Sequence, residues 1–293
     1  MKENGVKKGD VIYVEQEGDR LLVCPAGDKK QEQKRISIDV TEMTKQEIRM
    51  QLIAKYMQNF NEITLTAGNM SIKAKDIRGI VHDLMALEVI DEDSSKIVTK
   101  DFLNMEDISP MSLINKMDLI TREMLSDSKN PSKDENRNTI SERDSDVNRL
   151  SYLLFRTMRH LEENPAAAIK KGIPHNKLVL MWIAALNIEH IADQAKRIAR
   201  LIKWVKLPPR ENTEFLSIYS AVEKFYVDSM DVFYNNDLKG AFKLVAQQKR
   251  LMKQCRDFDR QNWNHEFISV VLENMKTILG ETKSLLTHVC DMS

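Results

Sequence analysis

The spacing of apolar residues changes twice along the chain. In residues 1–35 they come in short runs. Val11-Ile12-Tyr13-Val14 follows Gly9-Asp10, Leu21-Leu22-Val23-Cys24 precedes Pro25, and Glu17-Gly18-Asp19 lies between them. Two β-favouring runs around a Gly/Asp turn predict a hairpin, which is marginal alone in water and needs partners. In residues 36–107 strand and helix periods alternate. Ile36, Ile38 and Val40 predict a strand, and Ile48, Leu52, Ile53 and Tyr56 predict a helix over 45–58. Ile63 to Thr66 reads as a strand. Ile77, Ile80, Val81, Leu84 and Leu87 predict a helix over 76–87, and short strands follow at Val89-Ile90 and 96–99. That order predicts a small α/β or α+β layer.

Beyond Ser109 the period is helical throughout. Helices are predicted over 111–125, 140–161 and 178–206, then over 213–234, 238–260 and 267–289. A polar connection at 126–138 contains Pro131. Breaks fall at Pro165, Gly172 and Pro174, at Pro208-Pro209, at Asn235-Asn236-Asp237, and at 262–265. In the third helix Ile188, Ile191, Ala195, Ile198, Ile202 and Val205 form a seam of three- and four-residue steps. Long helices of this kind bury their apolar stripes against one another. The expected class is mainly α: two consecutive three-helix bundles preceded by a small β-hairpin and an α/β segment. The expected domains are 1–35, 36–107, 108–208 and 209–293.

Composition sharpens this. Nine glycines and seven prolines in 293 residues are roughly 5% of the chain, against about 12% on average, so turns are scarce and long helices are the expected use of the chain. Forty-four basic and 44 acidic side chains give zero formal charge, which argues against a polycation that coats nucleic acid. Cys24, Cys255 and Cys290 form no C-x-x-C pair, so neither a disulfide framework nor a thiolate zinc site is expected. The sixteen methionines read as core fillers. Residues 1–10 are too polar for a signal segment. The most apolar stretch, 178–188, is 11 residues long, and a bilayer span needs about 20. The expectation is a cytoplasmic protein with no integral membrane segment.

The candidate chemistry is carboxylate-rich. Glu189 and Asp193 stand four residues apart on the side of their helix away from the seam, with Lys196 and Arg197 beside them and Arg200 and Trp204 further along. Such a pair can bridge a metal ion, because hard and borderline cations take carboxylate oxygens. It can equally be a solvated face paired with Arg197 and nearby bases. On the preceding helix Glu142 and Asp146 fall on one flank of the Val147, Leu150, Leu154, Leu161 stripe, and Asp144 and Asn148 on the other. Acids at a helix start are also favoured by its dipole. None of the six histidines has a glutamate three residues before it, which disfavours a di-iron carboxylate bundle. G-x-S-x-G and H-E-x-x-H are absent, and no nucleophile or general base accompanies Glu189 and Asp193, so no catalysis is expected. Lys196, Arg197, Arg200, Lys203, Lys206 and Arg210 form the densest basic run, suited to an anionic partner or to a solvated helix end.

Two segments carry a resemblance. Residues 187–199, NIEHIADQAKRIA, resemble the "ERIADHAxNIA" signature of PhoU-domain proteins, and residues 142–150, ERDSDVNRL, resemble the partner-helix run "ERDDEVDRL". The two occur in family order on consecutive helices, and the resemblance spans most of the chain after residue 108. Residues 6–11 and 21–25 are similar to the second half of an AbrB/SpoVT-type DNA-binding module. Residues 87–92, LEVIDE, are similar to the "GLEVIEE" of archaeal phosphate-uptake regulators, which join such a module to a PhoU region. The resemblance implies PhoU-like three-helix bundles, a homodimer, and a non-catalytic role in phosphate uptake and homeostasis. That role runs through contacts with the phosphate transporter or its sensor kinase. It also implies iron or zinc on surface carboxylates, by position Glu189, Asp193 and Asp144. Asn148 stands where the family has a second acid, and in the second bundle Glu273 is followed by Thr277. The alternative expectation is a transcriptional regulator that binds DNA through the hairpin. An AbrB-type module has an earlier strand pair and basic loop, and only Lys2, Lys7 and Lys8 are basic in residues 1–10, so the expectation is that either the true start lies upstream of Met1 or DNA binding has been lost.

Overall fold

The computed structural model describes residues 11–17, 20–25, 33–129 and 134–291. The expectations for residues 1–10, for the turn at Gly18-Asp19 and for 130–133 around Pro131 fall outside the described residues; of the polar connection expected at 126–138, residues 126–128 and 134–138 are helical instead. Helix makes up 72% of the structure, which places it in the mainly α class. The chain divides into two compact units, Met1–Pro110 with Tyr152–Val179, and Met111–Ser151 with Leu180–Ser293.

The first unit holds two sheets. The hairpin is present as β1 (Ile12–Glu17) and β2 (Arg20–Pro25), antiparallel, with Val14 opposite Val23. Register places Ile12, Val14, Leu21 and Val23 on one face, and all four are exposed. The second sheet contains β3 (Arg35–Asp39), β4 (Glu62–Thr66), β5 (Leu87–Glu92) and β6 (Lys96–Asp101) in the order β3-β4-β6-β5. β3 and β4 are parallel, which requires a crossover; α1 (Lys45–Met57) supplies it. A capping box starts α1: Thr44 Oγ1 accepts from the Glu47 N–H, and Glu47 returns a carboxylate to the Thr44 N–H at 2.7 Å. Period-two alternation on the sheet sends Ile38, Ile63, Leu65 and Ile97 into a core shared with Ile48, Leu52 and Tyr56 of α1.

α2 differs from its expected span. It runs Ser71–His82 rather than 76–87. Leu84 and Leu87 are buried, but they follow the helix: Ala86 has φ +60°, and Leu87 already belongs to β5. The apolar spacing continued through a turn that packs on the same core. The early start gave no apolar signal, because Ile72 is exposed. At Val89-Ile90 the strand is present but bulged between Val89 and Asp91, which leaves Ile90 exposed.

α4 (Asp134–Glu163) contributes its residues from Tyr152 onward to this unit. The anchor is Arg156, whose side chain is 1% exposed. Its guanidinium donates to Asp101 Oδ2 and, at 3.2 Å, to Asn59 Oδ1, and it lies 4.5 Å from the centre of the Tyr56 ring. Asp101 Oδ1 is held by the Leu103 N–H. Asn59 takes φ +60° just after α1, a conformation asparagine tolerates. α5 (Pro165–Lys170) was expected only as a break. Proline at the first helical position starts a helix as readily as it ends one. α5 packs against both strands of the hairpin.

The second unit is helical. It contains α3 (Pro110–Ser128), α4 up to Ser151, and α6 (His175–Leu201) from Leu180 onward. It also contains α7 (Pro209–Asn235), α8 (Leu238–Asn262) and α9 (Ile268–Asp291), which pack on one another as a three-helix bundle. α6 ends at Leu201, short of the expected 206. Ile202 completes the buried seam from a 3-10 turn, Ile202–Trp204. On α8 the buried residues Ala241, Leu244, Gln248, Leu251, Cys255, Phe258 and Asn262 alternate steps of three and four, a continuous seam. Its N-cap Asp237 accepts from the Gly240 N–H at 3.0 Å. A Cβ at Gly240 would lie 2.4 Å from that carboxylate and 2.8 Å from Val232 Cγ2, so a larger residue there displaces the capping side chain. Polar groups join α3 to α7. Asp118 accepts from Arg122 at 3.0 Å and from the Tyr234 hydroxyl at 3.0 Å, and Lys129 pairs with Glu223 at 2.6 Å.

Candidate functional site

The site is built by α4 and α6 within the second unit. Seam residues Ile188, Ile191, Ala195 and Ile198 are buried and fix the rotation of α6. That rotation leaves Glu189 and Asp193 half-buried on the flank of the helix, with side chains 29% and 26% exposed. Across from them Val147 and Leu150 fix α4, and Asp144 is buried rather than on an open flank. The three acids expected as a set therefore come together. Glu142 and Asp146 stay exposed and take no part; Asp146 pairs with Arg149 at 3.6 Å. In the second bundle Glu273 is exposed and paired with Lys276 at 2.5 Å.

A cation joins them from the same helix. The Lys196 ammonium donates to Asp144 Oδ2 and stands 3.6 Å from Asp193 Oδ1. Arg197 holds the other Asp193 oxygen at 2.7 Å. Asn148, in place of the second acid, donates from its amide to Asp144 Oδ2 at 3.4 Å. Glu189 has His190 at 3.7 Å, and His190 reaches Glu281 of α9 at 3.6 Å. The basic residues further along, Arg200, Lys203, Lys206 and Arg210, are exposed. The role of Lys196 was the part that sequence reasoning missed. The signal was its position three residues after Asp193, which puts it on the acid face of the same helix.

Iron or zinc at such a ridge needs three or more free oxygen or nitrogen donors around one point. Here Asp144 Oδ2 already takes an ammonium and an amide, and Asp193 is held by two bases. Among the described residues no group of three or more His, Cys, Asp and Glu side chains is arranged to hold a metal ion. With Lys196 in place the residues present do not fit a resident metal.

Burial holds the Glu189 carboxyl above the ordinary carboxylate range. The His190 ring pulls it down, and Asp193 and Asp144 push it further up. The folded protein thus binds this proton more tightly than the unfolded chain. Its contribution to stability is present below about pH 4.3 and is lost as pH rises through the folded value. Glu189→Gln should consequently be at least as stable as wild type at pH 7, with the gain vanishing near pH 4. Urea midpoints at the two pH values check this.

Comparison with known proteins places this geometry. Residues 114–202, which include both α4 and α6 segments of the site, match the family model described as the PhoU domain. The fold is similar to the crystal structure of PhoU from Pseudomonas aeruginosa, with a TM-score of 0.51 and 16% sequence identity over 63% of this chain and 96% of that one. No curated protein matches the chain. Among the described residues no helix is long and apolar enough to cross a membrane. Residues 114–202 are therefore similar to a PhoU domain, and the helical fold is similar to that of PhoU.

Proposed function

We propose that this protein is a non-catalytic regulator of phosphate uptake and phosphate homeostasis. It acts by binding components of a phosphate transporter or its sensor kinase, and it works in the cytoplasm as a homodimer of the archaeal type. The observation that carries this reading is the PhoU-domain match over residues 114–202, supported by a fold similar to nearly the whole length of a PhoU chain. The charged groups of α4 and α6 are consistent with recognition rather than turnover. Asp144 and Asp193 face Lys196 and Arg197, and Glu189 lies beside His190.

The operator-binding alternative is less well supported. Residues 11–25 contain one base, Arg20, against Glu15, Glu17 and Asp19. A phosphate backbone is met by clustered Lys and Arg, not by a net acidic ribbon. Capture with the full chain as bait, from cells grown with high and low phosphate, tests the proposal. Retention of phosphate-transport or phosphate-signalling proteins in a phosphate-dependent amount is the expected result.

A further inference from the structure

We propose that the Lys196 ammonium is the resident cation of the Asp144, Glu189 and Asp193 ridge, replacing a metal ion, so that the first bundle is complete without one. Three observations converge. The ammonium touches Asp144, the most deeply buried of the three acids at 8% side-chain exposure, and lies within 3.6 Å of Asp193. Lys196 itself is only 18% exposed, so its charge is held among the acids rather than in solvent. Asn148 supplies an amide donor to the oxygen that Lys196 uses, where an acid would have added negative charge. Lys196 and Asn148 change the local charge in the same direction: one adds a positive charge and the other withholds a negative one.

The physical consequence is exclusion. A divalent ion needs the Asp144 oxygen that the ammonium holds, and it would sit beside a fixed positive charge in a half-buried site where screening by water is weak. Arg197 further commits Asp193. Glu189 alone has neither lysine nor arginine within ion-pair reach among the described contacts. One carboxylate is too few donors to hold iron, zinc or manganese against water. Lys196 therefore offsets part of the negative charge of the ridge.

The test uses the full chain and free metal ions. Wild type, Glu189→Ala, and the double variant Lys196→Ala plus Asn148→Asp are dialysed against Mn²⁺, Zn²⁺ or anaerobic Fe²⁺. Bound metal is counted by mass spectrometry, and Mn²⁺ is followed by its electron spin resonance signal. Wild type should hold no metal that depends on Glu189, and its melting temperature should be the same with chelator as with Mn²⁺. The double variant should bind about 10–100-fold more tightly than wild type, lose that gain on adding Glu189→Ala, and melt higher with Mn²⁺. If the double variant does not fold, Lys196→Met keeps the stem and removes the charge, and a smaller gain over wild type is expected of it. Glu189-dependent, stoichiometric metal in the wild type overturns the proposal. So does a folded variant lacking Lys196 that binds no more tightly than wild type.

Discussion

Arg156→Ala should lower the free energy of unfolding by about 3–5 kcal/mol, the usual cost of breaking a buried ion pair from one side. The guanidinium and the Asp101 carboxylate are 1% and 2% exposed. Removing the first leaves the second charged and without its cation. The loss is larger than for a surface pair, where about 0–1 kcal/mol is typical, and it includes the hydrogen bond to Asn59 and the stacking on Tyr56. Arg156→Lys keeps the charge but cannot serve Asn59 and Asp101 together or stack as a plane, so an intermediate loss is expected. Arg156→Met with Asp101→Leu should recover much of the deficit, because no charge is then stranded. Urea unfolding read by circular dichroism checks all three. A midpoint for Arg156→Ala within error of wild type, at unchanged slope, would contradict the anchoring role given to this residue.

Asp118→Ala should cost about 2–4 kcal/mol. Asp118 is 2% exposed and receives Arg122 and Tyr234, while Arg122 also reaches Asp231 on α7 at 3.0 Å. Burial holds the Tyr234 phenol well above its ordinary range, and Asp118 raises it further, so the proton stays on the phenol and donates. Without Asp118 that hydroxyl loses its acceptor. Arg122 keeps Asp231, which limits the loss relative to Arg156. Tyr234→Phe removes only the donor and should cost about 1 kcal/mol. Adding Tyr234→Phe to Asp118→Ala should cost less than the two changes summed, because the pair shares one interaction. Additive losses in that cycle would show that the two do not act together.

The helices were legible because each needs a continuous apolar stripe, and steps of three and four persist through α7, α8 and α9. Ends were less legible. Leu84 and Leu87 pack on the core from a turn, so their spacing imitated helix beyond His82. Pro165 signals both an end and a start, and only the end was read. The buried charges could not be read at all. Arg156 and Asp118 lie on helices where a charge suggests solvent, and their partners are 55 and 116 residues away. The carboxylate pair Glu189 and Asp193 was legible from four-residue spacing on one helix. That Lys196 faces Asp144 depends on where α4 passes α6, which no local pattern encodes.

Binding decides between a regulator of phosphate uptake and any other use of these helices. Purified full-length protein should be titrated against the isolated phosphate-transporter ATPase and against the phosphate sensor kinase, with an unrelated transporter ATPase as control. Saturable binding to one of the two phosphate-linked partners and none to the control is expected. Equal or absent binding to all three, with the protein folded by circular dichroism, would contradict the function proposed.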